Sequence, residues 1–68
     1  MRIAVLRGGP SNHYDDSLKT GETVLSVLRD EPKYKPLDIF VSKDGEWHHM
    51  GRKYEPHQLL RHVDLVWN

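Results

Sequence analysis

Between Gly8 and Ser17 the chain collects Gly8, Gly9, Ser11, His13, Asp15, Asp16 and Ser17, a dense grouping of residues able to do chemistry. A Gly-Gly pair where a strand turns into a helix can cradle a phosphate, because helix N-termini bind anions. The spacing matches neither GxGxxG nor GxxxxGK[ST], so a tight turn is an equally good use of both glycines. Imidazole and carboxylate are competent ligands for a divalent metal. His13, Asp15 and Asp16 have no identifiable fourth partner, however, and adjacent carboxylates also suit a helix N-terminus, so no metal site is expected. Ser11 and Ser17 qualify as nucleophiles by residue type only, since neither lies in a Ser-x-x-Lys or nucleophile-elbow context. No catalytic residue is assigned.

The remaining candidates are weaker. His48 and His49 are adjacent, and on a strand they point to opposite faces and cannot share an ion. His57 and His62 flank a short helix and are expected in solvent. Trp47 and Tyr54 could stack on a ligand, but packing at a sheet edge is the more economical use of aromatics in a small core.

These residues need elements to position them. Ile3-Ala4-Val5-Leu6 is a continuous apolar run ended by Gly8-Gly9-Pro10, the pattern of a strand covered on both faces. Gly8 to Asp16 reads as a loop. Asp15, Asp16 and Ser17 offer N-cap side chains for a helix over Asp16–Arg29. Its stripe is Leu18, Gly21, Val24, Leu25 and Leu28. Gly21 costs that helix roughly 1 kcal/mol relative to Ala, a cost that close approach to the sheet would explain. Leu37–Val41 forms a second strand, and Asp44-Gly45 a turn of the hairpin type. A short hairpin around Gly51 decorates the sheet edge. Pro56 opens a short helix with Leu59 and Leu60 as its apolar contacts, and Val63–Trp67 forms a third strand.

The resulting order predicts an α/β domain: a three-layer βαβαβ, half-Rossmann-like unit with a parallel sheet in the order 2-1-3 and a small hairpin insertion. The third strand is then a bare edge, which invites a partner and points to a homodimer.

Composition narrows the function classes. Sixty-eight residues make one small domain of marginal stability. Ten Lys+Arg balance ten Asp+Glu, which leaves no electrostatic footprint for nucleic acid or an anionic membrane surface. The opening apolar run is too short for a membrane span. With no Cys to supply a disulfide or thiolate staple, a cytoplasmic location is expected.

Two segments carry a family resemblance. One is Arg2-Ile3-Ala4-Val5-Leu6-Arg7-Gly8-Gly9-Pro10-Ser11, continuing through Ser17-Leu18-Lys19-Thr20-Gly21. The other is Ile39-Phe40-Val41-Ser42-Lys43-Asp44-Gly45-Glu46-Trp47, leading to Val63-Asp64-Leu65-Val66-Trp67-Asn68. Together they resemble the N-terminal domain of D-alanine–D-alanine ligases of the ATP-grasp superfamily, over nearly the whole chain.

The resemblance implies the substrate-side (pre-ATP-grasp) domain of a ligase for peptidoglycan biosynthesis and the cell wall. In that family an acyl phosphate is made from ATP, and a second D-alanine attacks it. ATP and Mg2+ are held there by the central and C-terminal domains, which these 68 residues do not include. The 68-residue chain is therefore expected to be a truncated, inactive part of an ADP-forming enzyme. Carried over by position, the first D-alanine would be bordered by Gly8, Gly9, Ser11, His13, Asp16 and Ser17. Two of those positions depart from the family pattern. His13 stands where the family has a glutamate that binds the substrate ammonium, and Asp16 where it has a valine. A neutral imidazole cannot supply a carboxylate's charge. The departures favour a second reading, a non-catalytic degenerate binding or interaction module that keeps only the fold.

Overall fold

Alternation along the first apolar run decides the layering. In the computed structural model, which describes residues 1–68, strand β1 covers Arg2–Gly8. Its successive side chains point to opposite faces. Ile3 and Val5 pack against Leu25 on one face, while Ala4 meets Ile39, Val41 and Leu59 on the other. Both faces are thus covered, and Ala4 and Val5 are fully buried. The same residues could not do this in a strand with one face in water.

The covering elements follow from their own patterns. Helix α1, Tyr14–Arg29, buries Gly21 and Leu25 and rests Val24 and Leu28 against Ile3 and Val5. Strand β2, Lys35–Val41, lies parallel to β1, with Ala4 beside Leu37 and Leu6 beside Ile39. Ser42 then closes a tight turn: its amide bonds the Glu46 carbonyl, and its Oγ accepts from the Glu46 amide. Strands β3, Trp47–His49, and β4, Arg52–Tyr54, form the hairpin. Helix α2, Pro56–Leu59, starts on its proline and drops Leu59 onto the second face. Strand β5, Leu65–Trp67, pairs parallel with the other side of β1.

The α/β expectation stands, with helices on both faces of one sheet. The sheet itself is mixed and five-stranded, in the order β4-β3-β2-β1-β5, where a three-stranded parallel sheet with a separate small hairpin was expected. The reason is that the hairpin is no mere decoration. β3 pairs antiparallel with β2, Val41 beside Trp47 and Phe40 beside His48, which prolongs the sheet by two strands. Trp47 and Tyr54 pack against the core on the α2 face.

Helix α1 also begins two residues earlier than expected, at Tyr14. Its N-cap is His13, whose side chain makes no capping hydrogen bond, so Asp15 and Asp16 sit inside the first turn and cap nothing. Tertiary contacts extend the helix: the Tyr14 ring meets Phe40 edge-on at 6.2 Å, and Lys43 Nζ lies 5.0 Å from its centroid. The last strand is shorter than expected, because Asp64 turns its carboxylate back to accept the Arg2 amide at 2.8 Å. No helix is long and apolar enough to cross a membrane.

Candidate functional site

The strands β2, β1 and β5 run parallel and end at the same side of the sheet. From β1 the chain moves to one side to build β2, then returns past β1 to build β5. That reversal makes the β1–β5 gap a topological switch point, where the carboxyl ends of strands in open α/β sheets leave a crevice for ligands. Such a crevice is present, about 280 Å³, bordered by Gly8, Gly9, Ser11, Val41, Trp47 and Asn68.

Its wall is set by backbone chemistry. Gly8 has φ +94°, and a Cβ there would run into the Val41 carbonyl oxygen. Only glycine lets β1 end so close to β2. Gly9, buried, donates its amide to that same Val41 oxygen at 2.8 Å. Gly8 in turn donates to Ser17 Oγ at 3.0 Å. Ser17 therefore reaches from the first turn of α1 to hold the loop. The Ser11 Oγ accepts from the His13 amide at 3.1 Å, which shapes the approach to the helix.

Of the residues singled out from sequence, the fold brings Gly8, Gly9 and Ser11 together at the crevice. Ser17 stands behind them, with its hydroxyl committed to Gly8. His13 and Asp16 are exposed and do not line it. Val41 and Asn68 also line the crevice and were not singled out from sequence, and Trp47, weighed there as a stacking residue but expected to pack, lines it as well. The signal that finds them is topological: Val41 ends β2, and Asn68 follows β5.

The crevice carries little charge. Arg7 is its one ionic neighbour, and that guanidinium is engaged elsewhere. Nε donates to Asp38 Oδ1 at 2.7 Å and Nη2 to Oδ2 at 2.9 Å, with Glu22 3.4 Å from Nη1. The hydrogen bonds to Asp38 raise the Arg7 pKa above its ordinary value, burial opposes this in part, and the charges of Asp38 and Glu22 add to it. What remains is a polar backbone cradle with a hydroxyl, an amide side chain and an indole at its rim. It can hold a small polar molecule by hydrogen bonds, but no Asp or Glu side chain lines it to meet an ammonium. No three His, Asp or Glu side chains are placed to hold a metal ion.

No family model matches the chain. It is 40% identical over 47 residues to D-alanine–D-alanine ligase A of Brucella suis, covering 69% of this chain and 13% of that protein. Over 45 residues it is 38% identical to the D-alanine–D-alanine ligase of Macrococcus caseolyticus, covering 66% and 12%. Among solved structures it is similar to the VanG D-Ala:D-Ser ligase of Enterococcus faecalis. The TM-score there is 0.65 and the identity 30%, over 88% of this chain and 17% of that one. The matches span about an eighth of the length of the curated relatives.

Proposed function

We infer that this chain, a D-alanine–D-alanine ligase-like N-terminal domain, is the substrate-side lobe of an ATP-dependent ligase that joins D-alanine to a second amino acid for peptidoglycan precursors. The observation that carries the reading is the crevice at the carboxyl ends of β1 and β5, built from the Gly8–Ser11 loop. Within this reading Gly8, Gly9 and Ser11 border the first amino acid, Ser17 holds the loop, and His13 and Asp16 follow at the start of α1, outside the crevice lining. The β2-β1-β5 portion is the half-Rossmann-like core. The cytoplasm is the setting, and a homodimer through β5 belongs to the same reading.

ATP and Mg2+ do not fit the residues of this chain. No acidic cluster is placed for a metal ion, and the Gly8–Ser11 loop has no lysine in the position of a phosphate-binding motif. Both would be held by ATP-grasp domains beyond these residues. The contribution of this lobe is positional. A rigid backbone loop fixes a small substrate against a partner domain, and such positioning lowers the barrier of a two-substrate reaction.

The weak point of the site is the ammonium contact, and it supplies the test. The chain is fused to the remaining domains of a relative such as the Brucella suis ligase, and D-alanine affinity is measured with and without His13→Glu and Asp16→Val. A restored carboxylate should strengthen binding by about 1.5–3 kcal/mol, roughly 10–150-fold, the range for a hydrogen bond to a charged group. No gain in the restored fusion would remove the loop from the amino-acid site and leave a degenerate binding module.

A further inference from the structure

The opposite end of the sheet carries a second depression, about 310 Å³, with a different character. Arg2, Lys35 and Arg61 border it, and no Asp or Glu does. In a chain with ten cationic and ten acidic side chains, that is segregation of charge. The four ion pairs of the structure employ Arg7, Arg29 and Lys53 as cations, and Arg2, Lys35 and Arg61 take part in none of them. The acidic residue close by, Asp64, has its carboxylate on the Arg2 backbone amide.

Sheet register forces part of this arrangement. Arg2 stands directly beside Lys35 in the parallel β1–β2 pairing. Two residues on, Ala4 and Leu37 both pack toward the α2 face, so by period 2 Arg2 and Lys35 share that face. Like charges side by side on one face of a sheet destabilise it. An anion lodged between them would relieve the repulsion. Arg61, just beyond α2, closes the third side. Gln58 adds an oriented donor: its Oε1 accepts from the Glu55 amide at 2.8 Å, which leaves its NH2 group free to donate. The floor is apolar, made by Leu37, Leu59 and Val63.

We propose that this depression binds a small organic anion, a phosphate monoester whose charged head meets Arg2, Lys35 and Arg61 while its apolar body covers Leu37, Leu59 and Val63. Guanidinium forks match phosphate geometry bidentately, and a concave cationic wall focuses the field on the head. This site is independent of the Gly8–Ser11 crevice and does not rest on the ligase reading.

The test is a titration of the isotopically labelled 68-residue chain with phenyl phosphate and, separately, inorganic phosphate at constant ionic strength, followed by amide shifts. Saturable shifts confined to the residues around Arg2, Lys35 and 58–63 are expected, with phenyl phosphate at least about threefold tighter because its ring covers apolar surface. Arg61→Gln and Lys35→Gln should each weaken binding by about tenfold, the loss of one charge-assisted contact, and Lys53→Gln should leave it unchanged. The two weakening substitutions sit on different elements, so loss of fold in one leaves the other to decide. Shifts spread over all cationic segments, equal weakening by Lys53→Gln, or phenyl phosphate no tighter than phosphate would each overturn the proposal. So would tighter binding of an acidic peptide to the same residues, which would make the surface a protein interface.

Discussion

Arg7 on β1 grips Asp38 on β2 through two hydrogen bonds, Nε to Oδ1 at 2.7 Å and Nη2 to Oδ2 at 2.9 Å, and its Nη1 lies 3.4 Å from Glu22 on α1. One side chain thereby ties three elements, on the face where α1 rides closest to the sheet. Both partners are mostly shielded, at 23% and 32% exposure, so solvent screens the pair only in part. Replacing Arg7 by Lys keeps the charge and loses the fork. We expect a loss of about 1–2 kcal/mol in urea unfolding, a charged hydrogen bond discounted for that exposure. Equal stability of the two proteins would show that the fork contributes nothing beyond charge.

Gly21→Ala tests the closeness of that approach. In most helix interiors the change gains about 1 kcal/mol. Here the new Cβ would sit 2.6 Å from Arg7 Cβ, an atom fixed to the strand backbone and unable to swing away. Overpacking of this kind costs about 1–3 kcal/mol, so thermal unfolding should show a net loss. A stabilised variant would mean that the helix can lift off β1 cheaply.

Leu25→Ala should be more severe. Leu25 is fully buried between Ile3 and Val5. Its truncation costs about 2–5 kcal/mol, which a domain of this size can scarcely absorb. Circular dichroism at room temperature is expected to show a largely unfolded chain. A cooperative melt within a few degrees of the parent's would contradict the assigned core.

The hairpin offers a test by pH. Lys53 Nζ, on β4, lies 2.7 Å from Oε2 of Glu46, the residue just before β3. The hydrogen bond from Lys53, and then its charge, hold the Glu46 carboxyl below the usual carboxylate range. The hydrogen bond to Glu46, and then its charge, raise the Lys53 ammonium. A lowered carboxyl contributes stability above its unfolded pKa of about 4.3, and loses it as pH falls through the folded value. A raised ammonium contributes below its unfolded pKa of about 10.4, and loses it as pH rises through the folded value. The pair therefore supports the hairpin across the neutral range and fails at both ends. In a side-chain NMR titration the Glu46 midpoint should move up in Lys53→Gln. An unmoved midpoint would show that the pair does not form in solution.

β5 is an open edge with Leu65 and Val66 about half exposed, at 54% and 49%. Exposed apolar edges recruit other strands. Sedimentation of the isolated chain should show association that grows with concentration and is abolished by Val66→Lys. A clean monomer at high concentration would exclude pairing through this edge.

The sequence by itself determined whatever depends on neighbours three or four residues apart, or on a single residue's backbone. The unbroken run Ile3–Leu6 demanded cover on both faces, and β1 has it. The stripe Leu18, Gly21, Val24, Leu25 and Leu28 announced α1 and its buried face, which all but Leu18 form. Gly8 and Gly9 marked the strand end, Asp44-Gly45 the turn and Pro56 the start of α2. Tertiary structure alone decided the pairings made across long stretches of chain. The hairpin became part of the sheet because Trp47 and His48 found Val41 and Phe40. α1 began at Tyr14 because a phenylalanine 26 positions later packs on its ring. Ser17 looked like a helix cap, but its hydroxyl serves Gly8, nine residues back. Arg7 and Asp38, unremarkable in sequence, meet only because β1 and β2 align, and the same register sets Arg2 beside Lys35. Periodicity along a chain reports which face of an element will be buried. Which partner covers that face depends on loop closure and strand register, and those exist only once the sheet has formed.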